Sequence, residues 1–399
     1  GDATWSYRLQ VPTDHAGYFQ VNLQLAAAEI TTPMTGTRPA GFVAYGVLPD
    51  IQVSRLQHVD QSRFGALGTN FIKSGKQLVG DFVDPVYPLL GMKWLYQNRR
   101  LAELFPSPEK EPNLRTTLDN FKGYSMYEAQ ADLCLFIDCH SVPAWLMDYP
   151  DGRQSKTGLN PSFDLQAYPP KDFDTYKSLI RKVALEQAAR RKALFPNQAK
   201  NYYEIHWEPD WHWKGTDEAF IAMYKAAHEA IHEVDPDGLL LGANYGVLKK
   251  GNELLERLFK SGLGNYMDGV VTHTYYIPLN QSPESGEMVE DLRELRRLMD
   301  TYLPDGAPLI NSEWGLNYFG HPPAKNPGAL RQEAAWFLRG HLISLGEGVD
   351  TTFFFYTADM SASKGGGMLY NLTAPNPRYG ATHVAPKPVA MACATATRL

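Results

Sequence analysis

The chain has 399 residues, a formal net charge of −6, and 21% charged and 12% aromatic residues. Its 8 Trp, 22 Tyr and 18 Phe supply the large apolar side chains that disordered chains lack. The 38 Lys and Arg are outnumbered by 44 Asp and Glu and lie scattered, which argues against a nucleic-acid or anionic-membrane partner. No apolar run approaches the ~18 residues of a membrane span.

In chain order, Tyr7–Val11 and Tyr18–Leu23 alternate like strands around the turn signal Asp14-His15-Ala16-Gly17, and Phe42–Leu48 is a further strand candidate stopped by Pro49-Asp50. Residues 1–58 are expected to form a small antiparallel β element packed on the rest, residues 59–399. From about residue 63 the pattern becomes short apolar runs alternating with helical stretches. The runs are Phe64–Gly68, Met92–Tyr96, Leu133–Ile137, Tyr202–His206, Leu239–Ala243, Gly269–His273, Pro308–Ser312 and Thr352–Tyr356. Amphipathic helices are expected over Phe173–Arg191, Glu218–Glu233, Val289–Tyr302 and Arg331–Leu345, with a last one over Pro388–Thr397. Strand–helix alternation implies a parallel sheet. Eight units over this length fit an α/β (β/α)8 TIM barrel. The alternative, a doubly wound open sheet, usually carries a glycine-rich phosphate turn, and no GxGxxG or GxxxxGK[ST] is present. Cys134 and Cys139 sit in an apolar run and read as small hydrophobes; with Cys393 they are too few for a disulfide framework.

Barrel chemistry sits at the carboxyl ends of the strands. Strand 3 delivers Asp138, His140 and Trp145, and strand 4 His206, Trp207 and Glu208. Strand 5 delivers Asn244 and Tyr245, and strand 6 His273, Tyr275 and Tyr276. Strand 7 delivers Asn311, Glu313 and Trp314, and strand 8 Tyr356 and Asp359. Glu208 and Glu313 are 105 residues apart, or 35 for each of three strand–helix units, so both should enter one barrel mouth. Two carboxyls facing across a cleft with aromatic walls are the parts needed to hydrolyse a glycosidic bond. One must be protonated to release the leaving oxygen and the other ionised to attack the anomeric carbon, and burial with mutual repulsion separates their pKa values.

Tyr203-Glu204-Ile205-His206-Trp207-Glu208-Pro209-Asp210 resembles the strand-4 acid/base motif of clan A glycoside hydrolases, and Pro308-Leu309-Ile310-Asn311-Ser312-Glu313-Trp314-Gly315 resembles their strand-7 nucleophile motif. Arg63-Phe64-Gly65, Leu90-Gly91-Met92-Lys93-Trp94, Pro143-Ala144-Trp145-Leu146, Val234-Asp235-Pro236 and Asp268-Gly269-Val270-Val271-Thr272-His273-Thr274-Tyr275 follow in the matching order. The chain is most similar to family 39 and its neighbours over residues 63–399. The resemblance implies a retaining double displacement on an oligo- or polysaccharide, without cofactor or metal. Glu208 would be the acid/base and Glu313 the nucleophile, oriented by Tyr275. His140, Trp145, Trp207, His273, Trp314 and Tyr356 would contact substrate. It also implies an extracytoplasmic location, from the chemistry rather than from a leader sequence. Two positions depart from the clan's pattern: Trp207 stands where it usually has the Asn that binds the sugar 2-hydroxyl, and Tyr96 where it usually has an Arg near the nucleophile.

Other readings stay open. His140, His206, Glu208 and His212 could serve a metal-dependent barrel hydrolase, and the two departures fit a carbohydrate-binding barrel without activity. Trp211 and Trp213 could form outer sugar subsites or anchor their loop. His228 and His232 have the i, i+4 spacing of metal ligands but lie on an outer helix beside Glu229 and Glu233, the pattern of a solvated face.

Overall fold

A computed structural model describes residues 10–22, 42–47, 63–67, 90–110, 112, 114, 134–150, 165–243, 245–275, 282–315, 327–359, 367–371 and 384–397. Near the amino terminus, β1 (Gly17–Asn22) pairs antiparallel with β2 (Phe42–Val47). The barrel strands follow as β3 (Phe64–Ala66), β4 (Trp94–Asn98), β5 (Cys134–Asp138), β6 (Tyr202–Glu204), β7 (Leu239–Gly242), β8 (Gly269–His273), β9 (Leu309–Trp314) and β10 (Thr351–Phe354). They are parallel and close in the order β10-β3-β4-β5-β6-β7-β8-β9, so the (β/α)8 barrel anticipated from the alternation is the observed fold.

The lumen is filled by side chains from alternate positions: Trp94 and Tyr96 of β4, Cys134 and Phe136 of β5, Leu241 of β7, Val271 of β8, Ile310 of β9 and Phe353 of β10. Four of the eight are aromatic, and their rings stack edge-on or offset, as with Phe136 against Phe353 at 5.7 Å and Trp94 against Phe353 at 6.4 Å. Gly65 of β3 is required here, because a Cβ would stand 2.6 Å from Trp94 and 2.7 Å from Phe353. Burying each such side chain contributes roughly 1.5–3 kcal/mol, so the plug is a core and not a pore.

The outer layer follows helical periodicity. In α2 (Phe173–Leu194), which comes after the one-turn α1 (Leu101–Leu104), Tyr176, Leu179, Ile180 and Val183 are buried, and Asp172 caps the start by accepting the Asp174 N–H at 3.0 Å. After the short α3 (Pro209–His212), α4 (Asp217–Val234) begins where Thr216 accepts the Ala219 N–H at 3.2 Å, and it packs on α2. The helices α5 (Leu248–Lys260), α6 (Met288–Tyr302), α7 (Pro327–Gly346) and α8 (Pro388–Ala396) complete the described layer. The sequence reading missed α5, whose mostly polar sequence hides a buried stripe of Leu248, Leu255, Leu258 and Phe259.

The small antiparallel element expected near the amino terminus is present. Gln10 and Val11 lie outside any strand, and residues 7–9 lie outside the described residues. The partner of β1 among the described residues is β2. The β1–β2 pair rests on the carboxyl-terminal end of the chain. β2 lies beside β12 (Val384–Pro386), which pairs with β11 (Leu369–Asn371), and Gly46 has no space for a Cβ against Met391 of α8. Beneath it, Lys387 and Asp359 form a fully buried ion pair at 2.6 Å. Cys134, Cys139 and Cys393 are buried and form no disulfide among the described residues.

Candidate active site

The strand geometry delivers Glu313 by an irregularity. Val271 of β8 is level with Ile310 of β9 and both point into the lumen, so strict alternation would bring Ser312 inward next and turn Glu313 out. The register shifts between Thr272 and His273, so that His273 is level with Glu313 and Ser312 is the extra residue. A bulge re-aims every later side chain of its strand. Glu313 therefore enters the mouth, and Trp314 turns outward to pack on Phe337 and His341 of α7 at ring distances of 5.6 and 5.0 Å. Trp314 is 1% exposed, which removes it from the expected sugar contacts.

Glu208 is delivered by a strained turn. It follows β6 and caps α3 with left-handed backbone angles, φ 49° and ψ 59°, unusual for a residue with a side chain. Pro209 then fixes the first helical residue. Such strain, of order 1–3 kcal/mol, persists where the surrounding structure over-determines it, and it aims the Glu208 carboxylate over the lumen.

The two carboxylates meet through one imidazole. One oxygen of Glu208, one oxygen of Glu313 and one nitrogen of His273 lie within 4.8 Å of one another. His273 Nδ1 is 2.8 Å from Glu208 Oε1, and Nε2 is 4.0 Å from Glu313 Oε2. The Trp207 indole N–H donates to His273 Nε2 at 3.1 Å. That bond needs a lone pair on Nε2, so Nδ1 carries the proton and donates it to Glu208. Tyr275 donates its hydroxyl to Glu313 Oε1 at 3.2 Å, while Glu313 Oε2 is buried with no hydrogen-bond partner among the described residues.

These contacts separate the two acids. Burial alone would raise Glu208, but the His212 and His273 imidazoles beside it outweigh burial and bring the carboxyl down to about 2. Burial raises Glu313 to about 7; His273 opposes this, the Glu208 charge adds to it, and the Tyr275 hydroxyl offsets part. The surroundings thus favour protonation of Glu313 over protonation of Glu208. Burial also lifts Asp210 to about 6, helped by Glu208 and opposed by the Gly246 N–H that Asp210 accepts at 3.0 Å. His273 is itself raised, its burial outweighed by the carboxylates around it.

The remaining expected residues divide. Trp207 lies between the rings of His140 and His273, at 5.8 and 6.0 Å. Its backbone N–H is held by Gln166 Oε1 at 3.1 Å. His140 is 0% exposed, sits behind Trp207 and is bound through Nδ1 to Asp138 Oδ1. Tyr356 is half-buried and packs against the lumen cluster. Trp145 anchors a loop: its indole N–H donates to the Phe105 carbonyl at 2.8 Å, and no hydrogen bond or ring contact ties it to either carboxylate. Asn244 and Tyr276 lie outside the described residues. Tyr96, where the clan has Arg, points its hydroxyl at Glu204 Oε1, and Arg99 pairs instead with Glu186 of α2. The metal quartet fails to converge. His206 is buried against the Gln166 carbonyl at 2.7 Å and pushed down to about 3 by burial, and His140 is committed to Asp138.

No protein-family model matches the chain, and no curated protein matches it in sequence. Solved structures match its fold. A family 39 glycoside hydrolase from the gut symbiont Bacteroides cellulosilyticus WH2 aligns with a TM-score of 0.61 at 15% identity, over 90% of this chain and 67% of that one. A conserved exported protein from Bacteroides fragilis aligns at 0.59 and 11% identity, over 86% and 79%. The catalytic domain of GH30 xylanase C from Talaromyces cellulolyticus aligns at 0.51 and 12% identity, over 85% and 76%. The chain has the fold of the clan A glycoside hydrolases.

Two participants escaped the sequence reading in these roles. His212, considered only as a metal ligand, has Nε2 3.7 Å from Glu208 Oε2, and its i, i+4 spacing from Glu208 was the available signal. Asp210 was read only as part of the strand-4 motif, and its burial follows from α3 folding back toward Gly246.

Proposed function

We propose that the chain is a retaining glycoside hydrolase acting on an oligo- or polysaccharide outside the cytoplasm, with Glu208 as acid/base and Glu313 as nucleophile. The supporting observation is the approach of the two carboxylates within 4.8 Å, at the mouth of a barrel shared with known glycosidases. Retaining enzymes hold their carboxyls about 5–5.5 Å apart, while inverting ones leave about 6.5–9.5 Å for a water. Half-buried Trp207, Tyr275 and Tyr356 offer flat apolar faces to a sugar ring. Trp211, one turn beyond Glu208 and 54% exposed, offers a platform on the leaving-group side.

In the first step Glu313 attacks the anomeric carbon while Glu208 gives its proton to the departing oxygen. In the second, Glu208 takes a proton from water, which displaces Glu313. The resting surroundings favour the reverse order, so the bound saccharide must raise Glu208 relative to Glu313. Its sign is right: Glu208 is held low by the His212 and His273 imidazoles beside it, and a leaving oxygen seated on Glu208 displaces them. A second reading follows from the resting state itself, with Glu313 as the acid and Glu208 as the nucleophile.

A slow-reacting 2-deoxy-2-fluoro glycoside traps the covalent intermediate, and peptide mass spectrometry locates it. Label on Glu313 is expected. Label on Glu208 establishes the exchanged roles. Inversion of the anomeric configuration during turnover would overturn both readings. Saccharide affinity without turnover, even of activated aryl glycosides, would identify a binding barrel.

A further inference from the structure

The face opposite the candidate active site carries a second convergence of ligating side chains. His228 and His232 stand one turn apart on α4, with ring centroids 4.2 Å apart. The sequence suggested a solvated helix face. Folding adds a third group that no spacing rule could supply: Asp268, 36 residues beyond His232, at the entrance to β8. His232 Nε2 lies 3.1 Å from Asp268 Oδ2, and His228 Nε2 lies 3.9 Å from Asp268 Oδ1. One ligand atom from each of the three residues falls within 4.8 Å of the others.

We propose that His228, His232 and Asp268 form a structural Zn²⁺ site that ties α4 to the amino-terminal rim of the barrel. Two imidazoles and one carboxylate suit a borderline divalent ion, with water completing a tetrahedron. Zinc bonds of about 2.0–2.1 Å put neighbouring ligand atoms roughly 3.3 Å apart. The His232–Asp268 spacing already meets this, and small side-chain rotations bring in His228. All three are partly exposed, at 29%, 27% and 23% of their side-chain surface, so an ion has an entry path.

The carboxylate is held in place independently of any ion. Asp268 Oδ2 accepts the Leu240 N–H at 2.8 Å, and the Asp268 N–H donates to the Leu240 carbonyl at 2.8 Å. Leu240 belongs to β7, so the carboxylate is fixed to the sheet. Supporting bonds of this kind orient metal ligands and are part of a working site. An ion here would draw His228 into the existing His232–Asp268 contact and strengthen the tie between α4 and the sheet rim, at the barrel face concerned with stability rather than chemistry.

The test is calorimetric titration of the untagged full chain with ZnCl2, paired with thermal unfolding with and without the ion. The comparison variants are His228→Gln and Glu208→Gln. The second is needed because Glu208, His273 and Glu313 also lie within reach of one ion. We expect one Zn²⁺ per chain and a rise in unfolding temperature that EDTA reverses, both lost in His228→Gln and kept in Glu208→Gln. His228 is a partly exposed helix residue, so its replacement leaves the fold intact, which circular dichroism checks. The proposal is overturned by absence of Zn²⁺ binding, by binding unchanged in His228→Gln, or by binding lost in Glu208→Gln instead.

Discussion

The field shared by the two carboxylates can be tested by removing one of the charges. In Glu208→Gln the side chain keeps its shape and loses its negative charge. With the nearest oxygens within 4.8 Å, the repulsion removed is roughly 3.5 kcal/mol at an effective dielectric of about 20, equivalent to about 2.5 pH units. Its loss lets Glu313 ionise at lower pH. In the native protein Glu313 is raised to about 7 by burial and by Glu208, so a rate that needs its carboxylate climbs with pH through that value. In the variant the acidic limb should fall by at least about one pH unit, because repulsion adds to burial and does not replace it. The measurement is kcat/KM against pH, which reports the free enzyme, on an aryl glycoside whose good leaving group needs little protonation. On a substrate with a poor leaving group the same variant should lose roughly 10²–10⁴-fold. A limb that stays at its native pH or moves upward would refute the claim that these two side chains share one site.

Tyr275→Phe removes the hydroxyl that Glu313 accepts at 3.2 Å and should move the limb the other way, to higher pH. A hydrogen bond to a charged group is worth about 1.5–3 kcal/mol, so kcat/KM should drop roughly 10- to 150-fold; an unchanged profile would remove Tyr275 from the site. Glu313→Ala should abolish turnover of every glycoside, and azide should restore part of it by entering the space of the lost nucleophile, giving a glycosyl azide of inverted configuration. Inverted azide from Glu208→Ala, with retained azide from Glu313→Ala, would point to the exchanged roles. Away from the mouth, Lys387→Met removes the cation that neutralises the buried Asp359 carboxylate and should cost about 3–5 kcal/mol in denaturant unfolding. The paired change Lys387→Met with Asp359→Leu should recover most of that loss, since neither buried charge then remains.

By itself the sequence determined the barrel and its two acids. Hydrophobic alternation and helical periodicity are local properties, so the strand–helix repeat, the caps at Asp172 and Thr216, and the arrival of Glu208 and Glu313 at strand ends could all be read along the chain. Side-chain direction at the mouth could not. Glu313 faces inward and Trp314 outward only because β9 gains one residue against β8, and a bulge belongs to a pair of strands, not to either one. The same holds for His273 between the carboxylates, for the partner of β1, and for Asp268 beside His228 and His232. Each joins residues distant in sequence, and proximity of that kind is set by chain closure and packing, on which local pattern carries no information.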